Sequence, residues 1–510
     1  MSQRLRNFGG CALVLSIYGV ATLPLLRTFP PIWPDEVLFY SPAANLAHGQ
    51  GFGTGVLAGF LPGIGQYTFW QPPGYLFFLS LILRFLNPTH HLLAMRFTSW
   101  LLGAVVLLLG ASILKRLAHN GFWAFLGLAV LGTQVSFMQA ANVGRMEMSS
   151  LACMMAALNG YLAYREHGRR RTLAWASLFA GLAMLCHPAG ILASLVMIVH
   201  EILAPALRVN RVKGAAIFAS CIGAVFVPWC AYILQAPKLF LAQMAAQSAR
   251  KSWLLSSLLT HYGSKYWLMT PFGDAACPLG HRLLGFWPFP VASAALIPVL
   301  VLGVGLAGLL ANNSGRVEAS ILATWAIGGY AINLFMPEFW YTLYFLTPSC
   351  MLLGWAVTES SQRWIRAVAL ATLVAAGAWN FAEDKMLWWD SRDGWFTYKS
   401  YCLSLARMIP AHSTILLAAI PDPYFGLLDK NMSYRLYEFV PIGVPVDPAM
   451  AEQALAKVDY VVGSDCCQPQ YLANYLAAHG KIEAHLGQRD FLSPPVVLWK
   501  LHDGPNLPNP

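Results

Sequence analysis

Charge is what this sequence has least of. Only 11% of its 510 residues are Asp, Glu, Lys or Arg, against roughly 25% in an ordinary soluble domain. Acids are the scarcest: residues 383–510 hold 14 of the 23 Asp and Glu residues, which leaves 9 for the first 382 positions. That body is not the sequence of a soluble globular domain. The chain also lacks a P-loop, a dinucleotide Gly motif, an H-E-x-x-H pair and a nucleophile elbow, so no site for a soluble nucleotide donor and no cofactor are expected. Neither a D-x-D motif nor a His cluster argues for a metal, and no C-x-x-C spacing argues for zinc. There is no sustained repeat or low-complexity tract.

What is present is apolar sequence. Hydrophobic residues make up 57% of the chain, and runs near the ~20 residues a spanning helix needs recur through the first 380 positions. They fall at about Phe8–Leu26, 96–114, 121–139, 147–164, 172–187, 188–204, 214–235, 291–310, 318–336, 342–358 and 364–381. The first has no small-residue cleavage site and reads as an uncleaved span. Pro188 marks the break between the two short runs on either side of it. The net charge of +10 does not point to nucleic acid, because the basic residues gather in one set of short loops. These carry Arg4, Arg6, Lys115, Arg116, Arg165, Arg169, Arg170, Arg171, Arg208, Arg211, Lys213, Arg316, Arg363 and Arg366, whereas the short turns on the other side carry only Arg145. The positive-inside rule then places the N-terminus in the cytoplasm and the C-terminus outside.

The expected architecture is an all-α polytopic membrane body of about eleven helices, residues 1–382, followed by a small extracytoplasmic α/β domain, residues 383–510. In the tail, Ser413–Ile420, Val458–Gly463 and Val496–Leu501 read as strands, and Ala449–Lys457 and Gln470–Ala478 as helices. Two long outer segments remain, 28–95 and 236–290. The apolar stretch Tyr75–Leu86 in the first is too short to span and suits the membrane interface. Cys466-Cys467 would supply one disulfide partner for Cys402 or Cys277.

Because acids are rare in the body, each is informative. Glu166, Glu201, Glu318 and Glu359 fall at inner ends of spans and read as loop charges; Asp35, Glu36, Glu147, Asp274 and Glu338 fall outside. Asp35-Glu36 follows Pro30-Pro31-Ile32-Trp33-Pro34, a stretch whose prolines and tryptophan fix the backbone at the surface. The pair reads either as a general base with its helper or as a cap for a helix over Val37–His48. Glu147 opens the fourth span beside Arg145, where a carboxylate is costly unless paired or wet. Gln71-Pro72-Pro73-Gly74-Tyr75 is a stiff turn, and His187-Pro188 breaks the chain at another.

The order of these motifs resembles a known family. One span is followed by Asp35-Glu36, by Ala44-Asn45-Leu46-Ala47-His48-Gly49 and by Gln71-Pro72-Pro73-Gly74-Tyr75. Then come Arg96, Arg145-Met146-Glu147 and His187-Pro188. This is similar to the GT-C glycosyltransferases of the protein mannosyltransferase and lipid A aminoarabinose transferase type, over residues 8–381 and more loosely in the tail. The resemblance implies an inverting transfer of a sugar from a polyprenyl-phosphate donor to a glycan, lipid or protein acceptor at the outer face of the inner membrane. It implies that Asp35 and Glu36 match the acid pair that supplies the base, with Asp35 the first choice. Arg145 and Glu147 match an Arg-x-Asp motif, with Glu replacing Asp; Glu147 would face Asp35 and help hold the acceptor. Gln71 stands where many relatives carry Lys or His, and His187 near a turn where some carry Lys. The cations for the departing phosphate therefore remain open among Arg96, Arg145, Lys251 and Lys265. The competing expectation is a transporter or lipid flippase using the same outer acids, although such proteins usually place polar groups near the midplane of inverted repeats.

Overall fold

The computed structural model describes residues 3–118, 121–203, 211–252, 316–335, 339–391, 394–428, 432–441, 443–464, 469–486 and 496–501, and singly 256, 306 and 310. The body begins with α1 (Gln3–Thr22). The first long loop contributes α2 (Pro34–Ala47) and α3 (Pro73–Leu83). Then follow α4 (His91–Leu117), α5 (Gly121–Gly132), α6 (Val135–Asn142), α7 (Glu147–His167), α8 (Arg170–Cys186), α9 (Ile191–Leu203) and α10 (Arg211–Ile233). The helices Arg316–Phe335, Leu343–Glu359 and Arg363–Ser391 complete the body. Helices thus lie on ten of the eleven expected apolar segments. The eleventh, 291–310, lies outside the described residues apart from positions 306 and 310.

By length and composition alone, four stretches among the described residues qualify as spans: Phe8–Leu25, Pro88–Leu117, Val212–Ile233 and Arg363–Ala382. The bent pair Trp123–Gly132 and Val135–Asn142 makes a fifth. α7 is not among them, and it lies inside the bundle. Its buried residues include Glu147, Ser149 and Ser150 as well as Leu151, Met155 and Leu158, and a helix shielded by protein tolerates polar groups that lipid would not. Outer faces carry bare apolar side chains such as Leu101, Leu108, Trp175, Ile202 and Val227.

The expected continuous helix over 121–139 is corrected to two helices bent by 61°. The reason is local hydrogen bonding. Thr133 turns its hydroxyl back onto the carbonyls of Ala129 and Val130, which competes with helix continuation. The Gln134 side chain then caps the next helix by accepting from the N–H groups of Ser136 and Phe137. Asn380 satisfies the freed Val130 carbonyl at 2.8 Å.

The tail holds a five-stranded sheet in the order β2-β1-β3-β5-β4, with β1 (Thr414–Ala418), β2 (Arg435–Glu438), β3 (Tyr460–Ser464), β4 (Lys481–His485) and β5 (Val496–Lys500). β1 runs parallel to β2 and β3; β5 is antiparallel to β3 and β4. The three strands read from sequence are the central ones. The two that escaped are the edges, Arg-Leu-Tyr-Glu and Lys-Ile-Glu-Ala-His, whose polar residues and exposure hide the strand pattern. The tail helices Pro448–Leu455 and Gln470–His479 stand where expected. Cys402 is buried; Cys277, Cys466 and Cys467, the other cysteines of the expected bridge, lie outside the described residues.

The sheet does not sit apart from the first loop. One continuous apolar core takes Ile32, Val37, Phe39, Tyr75 and Leu79 from that loop together with Tyr401, Leu416, Val461 and Leu498 from the tail. The helix Arg363–Ser391 also runs straight through the expected boundary at 382–383.

Candidate active site

The site begins with the local structure of α2. Pro34 occupies its first turn and Trp33 its N-cap, and Glu36 reaches back to accept the Trp33 backbone N–H at 3.2 Å. This is the carboxylate half of a capping box, so of the acid pair it is Glu36 that caps α2. The same carboxylate accepts two bonds from Arg96, Nε to Oε1 at 2.9 Å and Nη2 to Oε2 at 2.6 Å, and a third from the Gly144 N–H at 2.9 Å. Arg96 also donates to the Leu26 carbonyl at 3.3 Å. Gly144 permits this approach, since a Cβ there would stand 2.8 Å from the Met95 Cβ and 3.4 Å from Glu36. Glu36 and Arg96, both fully buried, therefore pin α2, α4 and the loop before α7 together.

Arg145 forms a second junction. It holds Glu147 with Nη2 at 2.6 Å from Oε1 and with Nε at 3.2 Å from both oxygens, and it pairs through Nη1 with Asp35. Its guanidinium lies 4.4 Å from the Trp340 ring centroid and 5.5 Å from that of Phe39, two cation–π contacts that add attraction when desolvated. Glu147 has no exposed side-chain surface, whereas Asp35 keeps 27% of its own. Glu147 is therefore on the inner side of Arg145 and Asp35 on the outer side.

Asp35 opens onto a cavity of about 550 Å³. Its walls include Trp70 and Gln71, Arg145, His187, Trp229, Arg250, Lys251 and Tyr341, with Pro441 contributed by the tail. Among the described residues Asp35 is the one acid on that wall. Gln71 and His187 meet there because Gly74 lets α3 press on the end of α8, where a Cβ would come within 2.8 Å of the Leu185 backbone. His187 accepts the Ala189 N–H at Nδ1, 3.0 Å away, and stacks on Tyr344. Lys251 Nζ stands 3.4 Å from the Tyr341 hydroxyl.

Of the residues expected to act, the structure brings Asp35, Gln71, Arg145, His187 and Lys251 to one cavity. Glu36, Arg96, Glu147 and Tyr75 are buried behind it, Tyr75 edge-on against Phe39, and Lys265 lies outside the described residues. Trp70, Trp229, Gln247, Arg250 and Tyr341 are wall residues the motifs do not mark. One signal was available: Met244, Gln247, Ser248 and Lys251, all on the wall, recur at helical spacing along residues 237–252. That helix is fastened to the first loop by Gln243, which accepts from the Phe69 N–H at 2.7 Å and donates to the Tyr67 carbonyl at 2.9 Å. A larger apolar groove of about 860 Å³ between α1, α5 and the helix Arg363–Ser391 carries Lys385 and no acid, so the site is assigned by chemistry and not by size. No cluster of three metal-ligating side chains occurs among the described residues.

No family model and no curated protein matches the sequence. Solved structures do match in fold. ArnT from Cupriavidus metallidurans, bound to undecaprenyl phosphate, aligns with a TM-score of 0.57 at 13% identity over 97% of this chain and 98% of its own. The archaeal oligosaccharyltransferase AglB from Archaeoglobus fulgidus, in complex with an inhibitory peptide and a dolichol-phosphate, aligns at 0.50 with 14% identity, over 90% of this chain and 69% of its own. The Archaeoglobus fulgidus oligosaccharyltransferase in complex with Zn and sulfate aligns at 0.52 with 14% identity, over 89% and 68%. The likeness spans the helical body and the tail alike, and it gives this chain the GT-C fold that the order of its motifs implies.

Proposed function

We propose that this chain is a multi-pass glycosyltransferase of the inner membrane. It would move a sugar, with inversion, from a polyprenyl-phosphate donor to an acceptor hydroxyl of a glycan, lipid or protein on the outer face. In this reading the eleven apolar segments span the bilayer, the N-terminus is cytoplasmic, and residues 383–510 form the extracytoplasmic part. The observation that carries the reading is the cavity that sets Asp35 against Arg145, Arg250 and Lys251. An acceptor hydroxyl attacking the anomeric carbon must lose its proton, and Asp35 is the carboxylate placed to take it. As the bond from that carbon to the phosphate oxygen breaks, negative charge grows on the departing lipid phosphate, and Arg250 and Lys251 are placed to meet it. Trp70, Trp229 and Tyr341 offer flat apolar faces to a sugar ring.

The other acids take different parts. Glu147 holds Arg145 from behind, so that Arg145 can keep Asp35 in place. Glu36 is a clamp between elements, not a proton acceptor, since all its contacts are with donors of the protein itself. The test is transfer by the purified protein from radiolabelled polyprenyl-phosphate sugars. Turnover that disappears in Asp35→Asn supports the reading. Movement of the lipid across a vesicle membrane without transfer would replace it with the flippase.

A further inference from the structure

Two buried acids in the tail have no part in the cavity chemistry. Asp422 and Glu438 are both fully buried, Asp422 just ahead of the short helix Tyr424–Leu428 and Glu438 at the end of β2. Asp422 is a junction. Its backbone N–H donates to the Ile32 carbonyl at 2.8 Å, three residues before Asp35. Its carbonyl accepts the Tyr398 hydroxyl at 2.9 Å, and its Oδ1 accepts the Tyr424 N–H at 2.8 Å. Among the described residues, its second oxygen and both oxygens of Glu438 meet no N–H or O–H donor. The two carboxyls lie against each other, in a contact that becomes a hydrogen bond only when one of them carries a proton.

Among the described residues, the surroundings supply no counter-charge. The titratable groups acting on the pair are Asp35 and Glu36 on α2, Tyr398 with its neighbour Cys402 on the helix Gly394–Met408, and Tyr424, itself packed on Tyr40 of α2. All are acids, phenols or a thiol. Burying two bare carboxylates side by side without a cation is prohibitive, and such groups neutralise instead. Carboxyls in contact titrate as a unit. Burial holds the protons on: it pushes Asp422 up to about 7 and Glu438 well above the ordinary carboxylate range.

We propose that Asp422 and Glu438 form a protonated acid pair in which the Glu438 carboxyl donates to the Asp422 carboxylate. Through the Asp422–Ile32 backbone bond, this pair holds the turn that presents Asp35 to the cavity. Both are positioning residues for the transfer, and the idea rests on Asp35 as the base. The tail then has a stated task. It fastens the far side of the Ile32–Asp35 turn, while Glu36 and Arg96 fasten the near side.

The full-length protein in detergent or nanodiscs tests this in three ways. Infrared spectra at neutral pH should contain the C=O stretch of a buried protonated carboxyl, lost in Glu438→Gln; retention of the whole band in that variant overturns the pair. Hydrogen exchange in peptides spanning 30–38 and 420–426 reads the positioning without any substrate. It should be unchanged in Glu438→Gln, whose amide still donates to Asp422, and faster in Glu438→Leu, which cannot donate; equal exchange in the two overturns it. Transfer assays read the consequence. Glu438→Leu should lose roughly tenfold to a hundredfold in kcat, the scale of a misplaced catalytic group, with donor KM within about twofold, and Glu438→Gln should restore it. Full kcat in Glu438→Leu overturns the link to Asp35. Absence of transfer in the unmodified protein would overturn the function instead, while the infrared and exchange measurements still decide the pair.

Discussion

In the helical body, Glu36 and Glu147 are fully buried, and each is met by a guanidinium, Arg96 and Arg145. In the tail, Asp422 and Glu438 are as deeply buried and, among the described residues, neither is met by a cation. The difference follows from what each region has at hand. Arg96 projects from a long helix and crosses to α2 from sixty positions away in sequence. The basic residue of β2 is Arg435, which stays exposed at the other end of a four-residue edge strand, leaving Glu438 to a second acid. A carboxylate can leave water either by gaining a cation or by keeping its proton. The two answers respond differently to mutation and to pH. The Ile32–Glu36 turn is where they meet, because the body holds it through Glu36 and the tail through Ile32.

The largest effect is expected at Asp35, the acid that opens onto the cavity. Asp35→Asn keeps the shape and removes the proton acceptor. Turnover should fall roughly 10²–10⁴-fold while equilibrium binding of the donor is retained. Near-normal turnover in a well-folded variant would separate Asp35 from the chemistry and send the search back to Glu147.

Breaking the cation solution comes next. Arg96→Met leaves Glu36 buried without its partner and should cost about 3–5 kcal/mol of stability, measured by denaturant unfolding in detergent. The double variant Glu36→Gln with Arg96→Met should recover most of that, because the stranded charge is then gone. A single variant as stable as the parent would mean that water or another group reaches Glu36.

The proton solution is sharpened by pH. The Asp422 carboxyl is raised by burial to about 7, above its unfolded value of about 3.9. Its contribution to stability is therefore fully present below about pH 4 and is lost as pH rises through about 7. The melting temperature should accordingly fall between pH 5 and pH 8, and Asp422→Asn should flatten that slope. An unchanged slope in Asp422→Asn would assign the pH dependence elsewhere.

The smallest effect sets the scale for an uncharged buried contact. Gln134→Ala removes the cap of α6 and should cost about 1 kcal/mol with transfer unchanged. A loss of transfer there would mean that the bend between α5 and α6 reaches the cavity.

The sequence by itself determined the helical body, because apolar runs are written in consecutive residues. It also determined the central strands of the tail and marked Asp35, Glu36, Arg145 and Glu147, since an acid is conspicuous where acids are rare. Tertiary structure decided which of those acids opens onto the cavity. The neighbours Asp35 and Glu36 differ by about a quarter-turn of helix, and Gly144, Arg96 and Arg145 approach them from other parts of the chain. It decided that Arg250 and Trp229 share a wall with Gln71, through contacts such as Gln243 with Phe69 across more than 170 positions. It also decided that the edge residue Glu438 is a buried acid, since nothing in Arg-Leu-Tyr-Glu records that the first loop packs over it. Local pattern reports the face a residue belongs to; only the folded chain determines what that face meets.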